Sequence, residues 1–159
     1  MAKMGKILSF FLIIGVFVLF PVSAEEALWS KADLQIIYME HLRNEGYVPS
    51  VDVDGDIQFK VSGDNFFIII DENDLQFFQV YMGFSLGAIT RDEALGIANE
   101  SNRISKTAKV SVSSPESERL IISVTAELLV EDPRDFMPIF SRAVSLIRNA
   151  ENNFKKQLE

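Results

Sequence analysis

The chain has 159 residues, with 15 Lys and Arg against 23 Asp and Glu, for a formal net charge of −8. That length accommodates about one domain, and the acidity works against binding a phosphate backbone, so nucleic acid is excluded as a natural partner. With no cysteine, disulfides, thiolate metal sites, a Cys nucleophile and a lipidated Cys at a cleavage point are excluded as well.

The first 24 residues have the layout of a secretory signal peptide. Lys3 and Lys6 form a short positive region, Ile7 to Phe20 is almost wholly apolar, Pro21 breaks the run, and Val22-Ser23-Ala24 places small residues at the cleavage positions. The competing reading, an uncleaved membrane anchor, asks for about 20 apolar residues, more than this run supplies. Cleavage is expected after Ala24, which would leave residues 25–159 as a single exported domain, periplasmic or extracellular, touching membrane only through an uncleaved leader. Without Lys3 and Lys6 that domain carries 13 basic and 23 acidic side chains, a net charge of −10. Its core must hold it together without cross-links, and about 135 residues rich in Ile, Val, Leu and Phe suffice.

Ser30 can cap a helix running to about Asn44, with Asp33 in its first turn; Leu34, Ile37, Tyr38, His41 and Leu42 share one face at helical spacing. Gly46 is the stop signal, and Tyr47-Val48-Pro49 leads into an extended segment over Val51 to Val53. From Val51 to Leu86 the chain reads as a β-meander. Asp54-Gly55 predicts a tight type I′ hairpin. Ile57, Phe59 and Val61 alternate with polar residues, Asn65 to Asp71 is apolar on both sides and is expected to be the most buried strand, and Leu75 to Leu86 alternates again. Thr90-Arg91-Asp92-Glu93 is a capping box opening a second helix, whose Ala94, Ile97, Ala98 and Ser101 allow close approach to a sheet. Two further strands follow, Lys106 to Ser113 and Arg119 to Val130, joined by a hairpin loop at Pro115-Glu116-Ser117-Glu118. Asp132-Pro133 starts a last helix. Its apolar period runs from Phe136 to Phe154 with an irregularity expected at Pro138; about 27 residues would make it roughly 40 Å long, so that Lys155-Lys156 would project or meet a partner.

The predicted fold class is α+β, a two-layer sandwich of an antiparallel sheet with helices mainly on one face, in the order α-β-β-β-(β)-α-β-β-α. Five stretches in order, Asp52-Val-Asp-Gly-Asp-Ile-Gln-Phe59, Phe77-Phe-Gln-Val-Tyr-Met82, Glu93-Ala-Leu-Gly-Ile-Ala-Asn-Glu-Ser-Asn102, Lys106-Thr-Ala-Lys-Val110 and Asp135-Phe-Met-Pro-Ile-Phe140, together resemble the YbjN-type domain family over essentially all of residues 30–158. The resemblance implies a fold similar to the chaperones of type III secretion, which commonly dimerise. It also implies a regulatory label, sensory transduction regulator, that carries no defined activity and no catalytic residue. An export leader sets this chain apart from the usual member and weighs against a cytoplasmic role.

Asp52, Asp54 and Asp56 form a D-x-D-G-D cluster that invites weak calcium binding. With Asp52 at the first position, however, an EF-hand needs Gly at 57 and Glu at 63, where the chain has Ile57 and Gly63; turn chemistry accounts for the aspartates. His41 is the only histidine, so no multi-histidine metal site can form, and its place beside an apolar stripe marks a structural residue. No nucleophile motif or carboxylate pair in an evident cleft points to an enzyme, and neither metal nor cofactor is expected. The informative feature is an apolar strip on the sheet's second face. Alternation puts Phe67, Ile69, Phe77, Tyr81, Ile121 and Leu129 there, among Gln79, Ser123 and Thr125. Such a patch marks either a partner surface, homodimeric or heterologous, or ground that one of the three helices crosses over to bury. The function expected is an exported, non-enzymatic protein-binding or chaperone-like module of undefined partner, acting in envelope sensing or regulation. A small-molecule or envelope-component sensor is the second reading and a hydrolase the third.

Overall fold

In the computed structural model, which describes residues 29–87, 89–113 and 119–158, three helices and a six-stranded antiparallel sheet follow one another in the expected order. They are α1 (Lys31–Asn44), β1 (Ser50–Val51), β2 (Ile57–Val61), β3 (Asp64–Ile69), β4 (Phe77–Ser85), α2 (Arg91–Ile104), β5 (Ala108–Ser113), β6 (Ile121–Leu129), a 3₁₀ segment Pro133–Ile139 and α3 (Phe140–Lys156). Spatially the strands lie β1-β2-β3-β4-β6-β5. The leader at 1–24 and the Pro115-Glu116-Ser117-Glu118 loop lie outside the described residues.

One face of the sheet makes the core. Ile57, Phe59, Phe66, Ile68, Phe78, Val80, Met82, Val110, Ile122 and Val124 are buried there against Leu34, Tyr38 and Leu42 of α1, Ala94 and Ala98 of α2 and Phe140, Ile147 and Phe154 of α3. The helix starts are built as the local chemistry demands. Thr90 Oγ1 accepts from the Glu93 N–H at 3.3 Å while Glu93 returns a carboxylate to the Thr90 N–H at 3.0 Å, and Ser30 with Asp33 does the same.

Four expectations need correction. Asp54-Gly55 is not the two-residue hairpin: Asp54 has an ordinary negative φ, and only Gly55 lies in the left-handed region, at φ +86°. Its turn closes through the Gly55 N–H on the Asp52 carbonyl at 3.2 Å, a type I turn followed by a left-handed residue. The tight hairpin with two positive φ values falls instead at Ser62-Gly63 (52° and 97°), between Val61 and its partner Asp64; Asp54-Gly55 is the stronger signal, but Lys31 and Gln35 of α1 pin it, through the Asp54 and Gly55 carbonyls at 2.8 and 2.9 Å. Second, β1 spans only two residues and Val53 is fully exposed. Third, β3 is not buried on both sides: Phe66 and Ile68 are in the core, Phe67 and Ile69 only half-buried. Fourth, the last helix is two pieces, because Pro138 cannot donate an i→i−4 bond and the chain before Phe140 winds as 3₁₀. The α-helical part has 17 residues, about 26 Å, and its end does not project. Lys155 Nζ is 2.6 Å from Glu151 Oε1 and stands over the Phe84 ring, and Gln157 Nε2 donates to Ser101 Oγ at 3.3 Å.

Candidate functional site

The second face of the sheet carries no helix among the described residues, since the buried faces of all three pack on the core side. Pairing orders its side chains into rows. Gln58, Phe67, Tyr81, Thr125 and Lys109 stand side by side across β2, β3, β4, β6 and β5; next come Ile69, Gln79 and Glu127, then Phe77 and Leu129. On the other side of the aromatic row lie Gly83, Ser123 and Ser111, and beyond them Ser85, Ile121 and Ser113.

Five of the six residues expected here, Phe67, Ile69, Phe77, Tyr81 and Leu129, are therefore neighbours at one end of the face. Ile121 is not with them: it sits eight residues from Leu129 along β6, roughly 27 Å away, among serines. Leu129 is 80% exposed; the other five are half-buried. Phe67 and Tyr81 form a direct cross-strand pair with ring centroids 5.8 Å apart. Tyr81 also lies along its own strand over Gly83, where a Cβ would collide with the phenol oxygen. Gly83 thus serves as the bed for the ring, which the strand pattern alone did not single out; a lone Gly inside a strand was the available signal.

The centre of the face is polar and internally paired. Glu127 accepts from Gln79 Nε2 and from Thr125 Oγ1, each at 3.2 Å, and forms an ion pair with Lys109. The Lys109 ammonium, and to a lesser extent Thr125 and Gln79, hold the Glu127 carboxyl below its ordinary range against the opposing pull of burial. Glu127 is the only acid on the described face of a chain with 23, and it is neutralised in place. Aromatic and aliphatic side chains grouped beside a single, paired acid match the composition of a contact surface.

The other candidates are engaged in local contacts. Asp52 Oδ1 accepts from the Asp54 and Asp56 N–H groups, both at 3.0 Å, and Asp56 Oδ1 from the Ile70 N–H at 2.8 Å. The cation on this turn is Lys31, 2.9 Å from Glu72 Oε1. Among the described residues no group of three or more His, Asp or Glu converges as a metal site. His41 stands edge-on to Phe136 and Phe140, centroids 4.8 and 5.2 Å away. Among the described residues its Nε2 and the Tyr38 hydroxyl are buried without a partner; burial lowers the His41 pKa and pushes the Tyr38 phenol up to about 12.

The six-stranded antiparallel sheet with helices on one face is a YbjN-like fold. Solved structures share it, among them these two. One is YbjN of E. coli, a proposed transcription regulator, with a TM-score of 0.61 and 10% identity over 76% of this chain and 89% of that one. The other is an uncharacterised protein of Methanothermobacter thermautotrophicus, with a TM-score of 0.54 and 11% identity over 79% and 99%. Neither is described as an enzyme. No family model matches the chain, and no curated protein matches it.

Proposed function

We propose that the protein is an exported, non-enzymatic module that holds a polypeptide partner, or a second copy of itself, against the open face of its sheet, in a sensing or regulatory role at the cell envelope. The observation that carries this reading is the grouping of Phe67, Ile69, Phe77, Tyr81 and Leu129 on a face that, among the described residues, carries no helix and a single acid, already paired. Six strands spaced by ~4.8 Å, the longest of nine residues at ~3.4 Å each, make a face of roughly 24 by 30 Å. That is on the scale of the ~800 Å² a stable interface takes from each partner. Export rests on the residue pattern of the leader, and the regulatory setting is in keeping with the description of YbjN.

The test is photo-crosslinking in the intact cell from residue 77 or 129, followed by mass spectrometry, with position 142 on the outer side of α3 as the reference. Protein adducts from the sheet positions and not from position 142 are expected; equal labelling from all three would defeat the reading. Mass analysis of the recovered chain reports whether it begins at Glu25. The sensor reading draws on open clefts, among them one of about 600 Å³ lined by Leu86, Ile89, Ile97, Leu158, Glu93 and Gln157. Both polar groups there are engaged, Glu93 on Thr90 and Gln157 on Ser101, which leaves the cleft few free groups to orient a ligand.

A further inference from the structure

The cleft of about 600 Å³ opens where β4 ends, with apolar walls from Leu86, Ile89, Ile97 and Leu158. Two glycines line it as well, Gly87 and Gly96, and the chain's own packing and backbone ask for neither. Both have φ outside the left-handed region, and a Cβ on either would stand in open space, with no described atom within 4 Å. Gly96 lies inside α2, where glycine is a poor helix former beside alanine; what its missing side chain keeps open is the cleft. A smaller recess of about 350 Å³ adjoins, lined by Ser85, Leu86, Gly87 and Arg119, so Leu86 and Gly87 belong to both. The Leu86 N–H donates to the Leu120 carbonyl at 3.0 Å and holds Arg119 at that end. Arg119 is exposed and forms no ion pair among the described residues.

We propose that the two recesses form one trough that binds a free fatty acid, its acyl chain along the apolar walls and over the two glycines, its carboxylate on the Arg119 guanidinium. Charge sets the direction. The acid in the walls, Glu93, turns an anion away from the α2 end, and the guanidinium at the other end offers the paired N–H donors that a carboxylate accepts from. The chemistry of the walls selects the rest of the ligand. Glu93 is held by Thr90 and Gln157 Nε2 by Ser101, so a polypeptide in the trough would bury peptide groups among polar side chains that are already engaged, at a cost. A saturated chain asks for no hydrogen bond, and one charged group at its end is enough to orient it. The site lies at the far end of β4 from Phe77, so the inference is independent of the open face and of whatever partner binds there.

The experiment titrates sodium decanoate, below its micellar concentration, into the chain as purified from expressing cells and follows binding by calorimetry. Saturable binding at one site is expected, tightening by roughly threefold per added methylene from octanoate to dodecanoate. Decanol, which lacks the charge, should bind roughly tenfold more weakly, the scale of a hydrogen bond to a charged group. Arg119→Gln should weaken decanoate by the same factor and leave decanol unchanged, a split that a merely structural role for Arg119 would not produce. Gly96→Phe is well placed to fold, since it puts a better helix former into open space, and by filling the trough it should abolish binding of both. Should Gly96→Phe fail to fold, Leu158→Asp, at a position already 39% exposed, should weaken decanoate by tenfold or more. The open-face variant Leu129→Lys should bind decanoate as the wild type does, whether or not it keeps a protein partner. The proposal is overturned if decanoate shows no saturable binding, if decylamine binds as tightly, if folded Gly96→Phe binds like the wild type, or if Leu129→Lys removes the binding.

Discussion

Gly55 shows how much a single residue can be asked to do. Its φ of +86° places it where an L side chain is strained, and a Cβ there would come within 2.5 Å of Lys31 Cε, the side chain that ties α1 to the turn. Gly55→Ala is expected to cost about 1–2 kcal/mol from the backbone alone, read as a lower urea midpoint; unchanged stability would show that the turn does not hold residue 55 in the left-handed region. His41 gives a second residue-scale expectation. Burial against Phe136 and Phe140 lowers its pKa, with the Glu45 charge opposing. A base whose folded pKa lies below its unfolded value of about 6.5 contributes fully above that pH, and stability falls as the pH drops from there toward the folded value. The melting temperature should therefore fall as the pH drops below about 6.5, and His41→Leu should flatten that fall; an identical slope in the variant would move the cause elsewhere. That His41 sits beside an apolar stripe was legible from spacing. Its partnerless Nε2 was not, because the rings that enclose it come from a segment about 95 residues further on.

At the scale of elements, the local signals held where the deciding atoms are close in sequence. The Ser30, Thr90 and Asp132 caps each use a carboxylate three residues on, so they could be read directly. Turn choice was different: Asp54-Gly55 has the stronger propensity, yet contacts from α1 hold it in a longer loop, and the weaker Ser62-Gly63 pair makes the tight hairpin between β2 and β3. The 3₁₀ segment Pro133–Ile139 places one ring deep in the core. Phe136, fully buried, meets Tyr38, His41, Phe78 and Phe140 with centroids 4.7 to 6.0 Å apart. Phe136→Ala is expected to cost about 3–5 kcal/mol and to lower the urea midpoint more than any exposed substitution in α3. A loss under about 1 kcal/mol would mean that the pocket collapses around the missing ring.

For the whole molecule, the decisive fact is that all three helices pack on one side. Leu129 at 80% exposure allows the open face to be altered without touching the core. Leu129→Lys should leave stability within about 0.5 kcal/mol while weakening any association that runs through the face, measured by light scattering and by crosslink yield at position 77. If mass and yield both stay at wild-type values, the face is not a contact surface.

Binary patterning, caps and the alternation of apolar residues determined the elements, their order and the side of each strand that faces the core, because all of these depend on residues within a few positions of one another. The same alternation put Phe67, Ile69, Phe77, Tyr81, Ile121 and Leu129 on the second face. Only the tertiary structure decided that no described helix covers that face, that five of the six meet while Ile121 stands apart, and that Tyr81 rests on Gly83. Those outcomes depend on strand order, register and helix placement, which join residues far apart in the chain, as the cross-strand pair Phe77 and Leu129 are.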